Sequence, residues 1–153
     1  MGQPTVLINE PLVQTAPTDW IKDIAEMHTK FGVNPVIRQL DAEKLRTFLK
    51  FRIDFLQEEL DEMRAALDAG NEKSADDTVD ALIDLCVVAI GTLNAFDVDA
   101  YVAWNRVHGK NMQKDAGVNA NRPNPLGLPD LIKPVGWTSP THADNVGLLA
   151  KLF

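Results

Sequence analysis

The stretch DAEKLRTFLKFRIDFLQEELDEMRAALDA, residues 41–69, carries the most regular pattern in the chain, and the rest of the architecture hangs from it. Its apolar residues Leu45, Leu49, Ile53, Leu56, Leu60, Met63 and Leu67 step by 4, 4, 3, 4, 3 and 4 positions, which draws one continuous stripe along an α-helix. Asp41 stands where an N-cap is wanted, so a long helix is expected from there to about Ala69. Within it FLQEELDEM (Phe55–Met63) crowds Glu58, Glu59, Asp61 and Glu62 into nine positions. At helical spacing Glu59 and Glu62 are i,i+3 neighbours and Glu58 and Glu62 are i,i+4 neighbours, so these charges repel. Either the charge faces water or a cation offsets it.

On the N-terminal side, Thr18 is a candidate cap for a helix from about Asp19 to Phe31, with Trp20, Ile24, Met27 and Phe31 on one face. Gly32 and Pro35 are expected to end it. Met1–Pro17 holds three prolines and no helical period, which reads as an extended arm. On the C-terminal side, DAGNEKS (Asp68–Ser74) is a turn, and Ser74 with Asp77 matches a capping box for a third helix to about Ala95. The middle of that helix, ALIDLCVVAIG, is apolar nearly all round and is expected at the centre of a bundle. A fourth helix is expected from about Asp99 to Lys114, after the break at AFDVD. Beyond Asp115 the chain is rich in Pro, Gly and Asn, so the tail should be ordered but irregular, with room for a short strand. The fold class is all-α, a bundle of four to five helices.

With 153 residues and 45% hydrophobic content, the chain suits one domain with a real core. The net charge of −7 and pI near 4.8 disfavour a nucleic-acid or anionic-membrane surface. An anionic substrate then needs a local basic cluster or a metal. The single cysteine, Cys86, cannot form an internal disulfide, which fits a reducing setting. MGQPTVLINE has neither a basic n-region nor an apolar h-region, and the apolar run LCVVAIG is expected to fall far short of a membrane span. The expectation is a soluble, cytoplasmic protein.

Asp77, Asp80 and Asp84 fall within roughly 60° of one another on the third helix, forming one acidic stripe. Solvent and the helix N-terminus account for Asp77 and Asp80 equally well. Asp84 lies between Ile83 and Leu85, where an unpaired carboxylate is costly, so it wants an arginine or a metal. If the second and third helices pack antiparallel, Glu59 and Glu62 meet Asp80 and Asp84. Four converging carboxylates suit a hard divalent cation such as Mg²⁺ or Mn²⁺. A diiron bundle would want Glu-x-x-His, which is missing; His28, His108 and His142 are scattered and read as packing or surface residues. On the fourth helix Arg106, Lys110 and Lys114 step by four, either as a solvated face or, with Asn111 as a neutral donor, as a phosphate clamp.

EELDE (Glu58–Glu62), DALIDL (Asp80–Leu85) and NMQK (Asn111–Lys114) together resemble the all-α nucleoside triphosphate pyrophosphohydrolases, the superfamily of MazG and phosphoribosyl-ATP pyrophosphohydrolase. The likeness runs from about Asp19 to Lys114. EMHTKFGV, GTLNAFDVD and KPVGW are similar to compact MazG-like enzymes of phages, some of which, the MazZ type, favour guanine nucleotides. Two departures stand out: the usual Glu-x-x-Asp appears as Asp80-x-x-x-Asp84 with Ala81 where many members have Glu, so that either Asp77 or Asp80 is left to supply the ligand, and motif spacing does not give the residues that choose the base. The resemblance implies a single MazG-like domain over 1–153, with a helical core at about 19–114 and a tail at 115–153. It implies metal-assisted cleavage between the α and β phosphates, giving a nucleoside monophosphate and pyrophosphate. Glu59, Glu62, Asp80 and Asp84 are then the metal ligands. Glu58 and Glu59 are the catalytic carboxylates, with Glu58 orienting the attacking water. Arg106, Lys110, Asn111 and Lys114 bind phosphate. A homodimer or homotetramer and a (d)GTP preference are implied as well, with no nucleic-acid or membrane partner. Trp137 either stacks on a base across a subunit boundary or anchors the tail locally. A non-catalytic helical binding module would carry the same stripe as plain surface charge.

Overall fold

The computed structural model describes residues 17–153, so the arm expected over Met1–Pro17 lies, but for Pro17, outside the described residues. Five α-helices follow: α1 Trp20–Lys30, α2 Val33–Arg38, α3 Ala42–Ala69, α4 Ser74–Ala95 and α5 Ala100–Asn111. A two-stranded antiparallel hairpin, β1 Asp115–Gly117 and β2 Asp130–Ile132, and a closing 3-10 turn at Gly147–Lys151 complete an all-α protein.

Helix α3 has the expected bounds, and its start is set by Asp41, whose carboxylate accepts from the Lys44 backbone N–H at 2.9 Å. Gly70 ends it in the left-handed region, at φ 55°, where a glycine is favoured. The cap of α1 is Asp19 and not Thr18: its carboxylate accepts from Lys22 N at 3.1 Å and also holds the Tyr101 hydroxyl at 2.6 Å. The expected capping box at Ser74 does not form. Ser74 is the first helical residue, and its Oγ accepts from Asn71 N at 3.0 Å, so it closes the turn instead. Gly32, at φ 66°, ends α1 as expected and separates it from a short helix, α2, that the sequence did not single out; proline fits in a first helical turn because no intrahelical N–H is needed there. Helix α5 begins on the Asp99 cap, with Val102 N donating at 3.0 Å, and stops at Asn111, three residues short of the expected Lys114.

The short link folds α4 back along α3, and this pair is the spine of the molecule. The densest packing lies at one end, where Leu45 of α3 and Ala95 of α4 meet Ile37 of α2, Phe96, Val98 and Leu152. Phe48 leans on Phe96 with ring centroids 5.6 Å apart. The C-terminus is fastened there: Leu148 N donates to Phe96 O at 2.7 Å, and Arg46 donates to the Leu152 carbonyl. Gly147, at φ 50°, lies so near the backbone that a Cβ would sit 2.0 Å from Phe96 O. Arg38 and Asp97 form a two-pronged ion pair at 2.8 and 2.7 Å beside it.

Two expectations about burial need correction. Helix α4 is not buried all round: Val79, Leu82 and Ile83 are 61%, 46% and 44% exposed, because α1 and α3 cover only part of its circumference. By length and composition α4 is also long and apolar enough to cross a membrane, since the apolar stretch extends well beyond LCVVAIG; in this fold it packs along α3 and carries four aspartates. Ile53 and Leu67 of the α3 stripe likewise remain exposed.

Candidate active site

The acidic residues of α3 and α4 lie along one seam. Glu59 is the innermost: its Oε2 is shut off from solvent and has no hydrogen-bond partner among the described residues. Desolvation first, then the charges of Glu62, Asp84, Glu58 and Asp80, push its carboxyl above the usual glutamate range. Those four charges therefore stand near Glu59, as antiparallel packing of the two helices requires. Asp84 is half-buried, while Glu58, Glu62, Asp77 and Asp80 are exposed. Glu59 as a whole is only half-buried, so the occlusion is confined to this oxygen, and the surroundings are open. A groove of about 480 Å³ runs beside Glu58, Asp61 and Glu62, and a second of about 360 Å³ is lined by Glu62, Ala66, Asp77 and Asp80. Both aspartates that compete for the missing ligand position thus share a groove with Glu62.

Among the described residues, no three His, Cys, Asp or Glu side chains stand close enough together to hold an ion as they are. The donor set nevertheless fits a hard divalent cation. It consists of carboxylates, it is mutually repulsive, and it contains an occluded oxygen that no described residue satisfies. Rotation of the exposed Glu62 and Asp80 side chains is enough to change their spacing, since neither is held by an ion pair or a side-chain hydrogen bond among the described residues.

Next along the same seam is a polar group that the apolar stripe concealed. Arg52 of α3 donates from Nε to Thr92 Oγ1 and from Nη2 to Val88 O, both at 3.0 Å on α4. Burial lowers its pKa. His28 of α1 is buried, with Nδ1 2.8 Å from Asn94 Oδ1, and Asn34 donates to the Asn94 carbonyl at 2.9 Å. The one sequence signal for this group was an arginine next to the stripe, seven positions before Glu59.

The basic helix is less free than its spacing implied. Arg106 holds Asp144 through two contacts of 2.6 and 2.8 Å and also donates to Thr141 O, so its guanidinium serves the tail; the same pairing holds the Asp144 carboxyl down at about 2. Lys110 donates to Thr138 Oγ1 at 3.0 Å and Lys114 to Asn111 Oδ1 at 2.9 Å. Neither lysine has a carboxylate partner among the described residues. Trp137 is a local anchor: its Nε1 donates to Lys110 O at 2.9 Å, with the ammonium groups of Lys114 and Lys133 at 5.2 and 4.9 Å from its ring centroid. Lys133 was not singled out by sequence, since it lies in the irregular tail. His108 stacks on Trp104, and His142 is half-buried in the tail; neither joins the carboxylates.

Residues 38–111 match the sequence profile of phosphoribosyl-ATP pyrophosphohydrolase, from the end of α2 to the end of α5. The matched segment contains Arg52, the acidic seam, Arg106, Lys110 and Asn111. A comparison with curated proteins finds no match.

Proposed function

We propose that the chain is a nucleoside triphosphate pyrophosphohydrolase, on the ground that residues 38–111 match the phosphoribosyl-ATP pyrophosphohydrolase profile, part of the MazG-like all-α superfamily. The family implies pyrophosphohydrolase-type activity and is typically dependent on divalent metal. In the proposed reaction, water attacks the α-phosphorus of a nucleoside triphosphate, the bond to the α–β bridging oxygen breaks, and pyrophosphate leaves a nucleoside monophosphate. The preferred substrates are dGTP and GTP.

The observation that best supports this is the unsatisfied, occluded Glu59 Oε2 amid four further carboxylates. Glu59, Glu62, Asp84 and either Asp80 or Asp77 would hold Mg²⁺ or Mn²⁺, which supplies charge neutralisation at the phosphates and a more acidic water. Glu58, exposed one residue from Glu59, orients the water and accepts its proton. Lys110 and Lys114, free of carboxylate partners, meet the phosphates, with Asn111 as a neutral donor. Arg106 drops out of that clamp, because Asp144 already occupies its fork.

The exposed apolar faces left on α3 and α4 support a homodimer or homotetramer, in which Ile53, Val79, Leu82 and Ile83 are covered by another copy. Sedimentation equilibrium checks this, and a monomer at micromolar concentration would contradict it. The activity is tested by incubating the protein with each canonical NTP and dNTP plus Mg²⁺ and resolving the products. Release of a monophosphate and pyrophosphate is expected, fastest with guanine. No pyrophosphate from any of them refutes the activity, whereas dUTP or dCTP consumed first refutes only the base preference.

A further inference from the structure

We propose that Lys133, carried by the irregular tail, is a third anion-binding cation beside Lys110 and Lys114, and that the hairpin thereby completes a site for the terminal pyrophosphoryl group of a triphosphate. The inference rests on the pyrophosphohydrolase reading for the identity of its ligand. The cluster itself stands on the register of the hairpin, which is independent of that reading.

Strands β1 and β2 pair with Asp115 opposite Ile132, Ala116 opposite Leu131 and Gly117 opposite Asp130. One step outward the same register sets Lys114 opposite Lys133, and like charges facing each other across an antiparallel pair are destabilising. A turn then folds the chain back beside both. Trp137 N donates to Pro134 O at 3.0 Å, and Gly136, at φ 81°, supplies the positive φ that such a turn takes at its third residue. The indole that arrives has Lys114 Nζ at 5.2 Å and Lys133 Nζ at 4.9 Å from its ring centroid, which bounds the separation of the two ammonium groups at about 10 Å. Lys110 joins through the next residue, Thr138, whose Oγ1 accepts from its Nζ at 3.0 Å.

An exposed cation–π contact offsets only part of such repulsion. No carboxylate supplies the rest: among the described residues the ion pairs of this region are Arg106 with Asp144 and Arg122 with Asp130, and none includes Lys110, Lys114 or Lys133. Thr138 and Asn111 each accept from one ammonium group and Lys133 donates to no described residue, so most of these N–H donors remain free. Lys133 and Thr138 are exposed and Lys110 and Lys114 only half-buried, so an ion reaches the cluster from solvent. Three lysines without counter-charge fit a compact polyanion, whereas the net charge of −7 repels an extended one such as nucleic acid. A pyrophosphoryl group, the βγ end of a triphosphate, is compact and highly charged.

Calorimetry of the full chain with inorganic pyrophosphate, in chelator and at low ionic strength, reads the cations without any metal on the acidic seam. Wild type should bind pyrophosphate about tenfold or more tighter than orthophosphate, since only the longer anion meets several lysines at once. Lys133→Ala should weaken pyrophosphate about tenfold, Lys133→Glu should weaken it further, and Lys133→Arg should restore most of the affinity. Because a like charge is removed, Lys133→Ala should leave the ligand-free Tm unchanged or higher, where a lysine kept only for structure would lower it. The inference is overturned if wild type binds pyrophosphate no tighter than orthophosphate, if Lys133→Ala keeps wild-type affinity, or if its loss of affinity comes only with a lowered Tm. Pyrophosphate held through Lys133 with no triphosphate cleaved would sink the activity and leave the anion site standing. Triphosphates cleaved with pyrophosphate affinity untouched in Lys133→Ala would do the reverse.

Discussion

Replacing Glu59 by Gln separates the cost of the acidic seam from its use. In the wild type Glu59 Oε2 is occluded and has no partner among the described residues, and desolvation first, then four neighbouring carboxylates, raise its pKa. A glutamine keeps the shape, removes the charge, and offers an N–H to those neighbours. An unsatisfied occluded acceptor costs about 1–3 kcal/mol. Because the neighbours are mostly exposed and solvent screens their repulsion, the low end applies, so metal-free Glu59→Gln should gain about 1 kcal/mol. For a domain of this size that raises Tm by about 2–4 °C. The pH dependence has a definite sign. With the folded pKa above the ordinary 4.5, the native state binds more protons than the unfolded chain in the window between the two. Stability from this group is therefore fully present below pH 4.5 and falls as pH rises through the folded value. Thermal melts in chelator from about pH 4 to pH 8 should show that decline in the wild type and a flatter profile in the variant. Adding Mn²⁺ should raise the wild-type Tm, since a ligand that binds only the folded state stabilises it, and should raise the variant far less. A variant that melts below the wild type in chelator, or one that gains as much from Mn²⁺, would refute the reasoning.

Glu62→Gln and Asp84→Asn should each abolish pyrophosphate release while leaving helical circular dichroism intact and metal-free stability equal or higher; full turnover in either contradicts the metal assignment. Lys110→Ala or Lys114→Ala should lower kcat/KM by roughly ten- to hundredfold, the worth of a charge-assisted phosphate contact, with Mn²⁺ affinity in the absence of nucleotide unchanged. The Arg106 pair holds the Asp144 carboxyl at about 2, below its ordinary 3.8, so the tail's fastening is at full strength above pH 3.8 and is lost as pH falls toward 2. Limited proteolysis of the tail with an acid-active protease should show this, and Arg106→Ala should remove the dependence. Gly147→Ala places a Cβ against the rigid backbone of Phe96 at positive φ, and should cost about 2 kcal/mol or more by urea denaturation; an unchanged midpoint would contradict the close approach.

What the sequence determined by itself were the features that repeat along one helix or sit within one turn of its end. The bounds of α3 follow from seven apolar residues in register and a capping Asp41, and the start of α5 near Asp99 follows from the break at AFDVD just before it. The acidic seam was legible because a short turn leaves α3 and α4 little choice but to lie antiparallel. Competition between neighbouring polar groups was harder to read: Asp19 displaced Thr18 as a cap because its second oxygen also meets Tyr101, 82 residues away, and Ser74 was diverted into the turn by Asn71. Only the tertiary structure decided which charges remain free. Arg106 and Lys110 share a helix face, yet Asp144 returns from 38 residues away to claim one and not the other. Arg52, His28 and Asn94 come from three different helices, and no periodicity within one segment encodes their meeting. A helical stripe is written by spacing along the chain, whereas the partner that satisfies or strands a buried polar group is chosen by packing between distant segments.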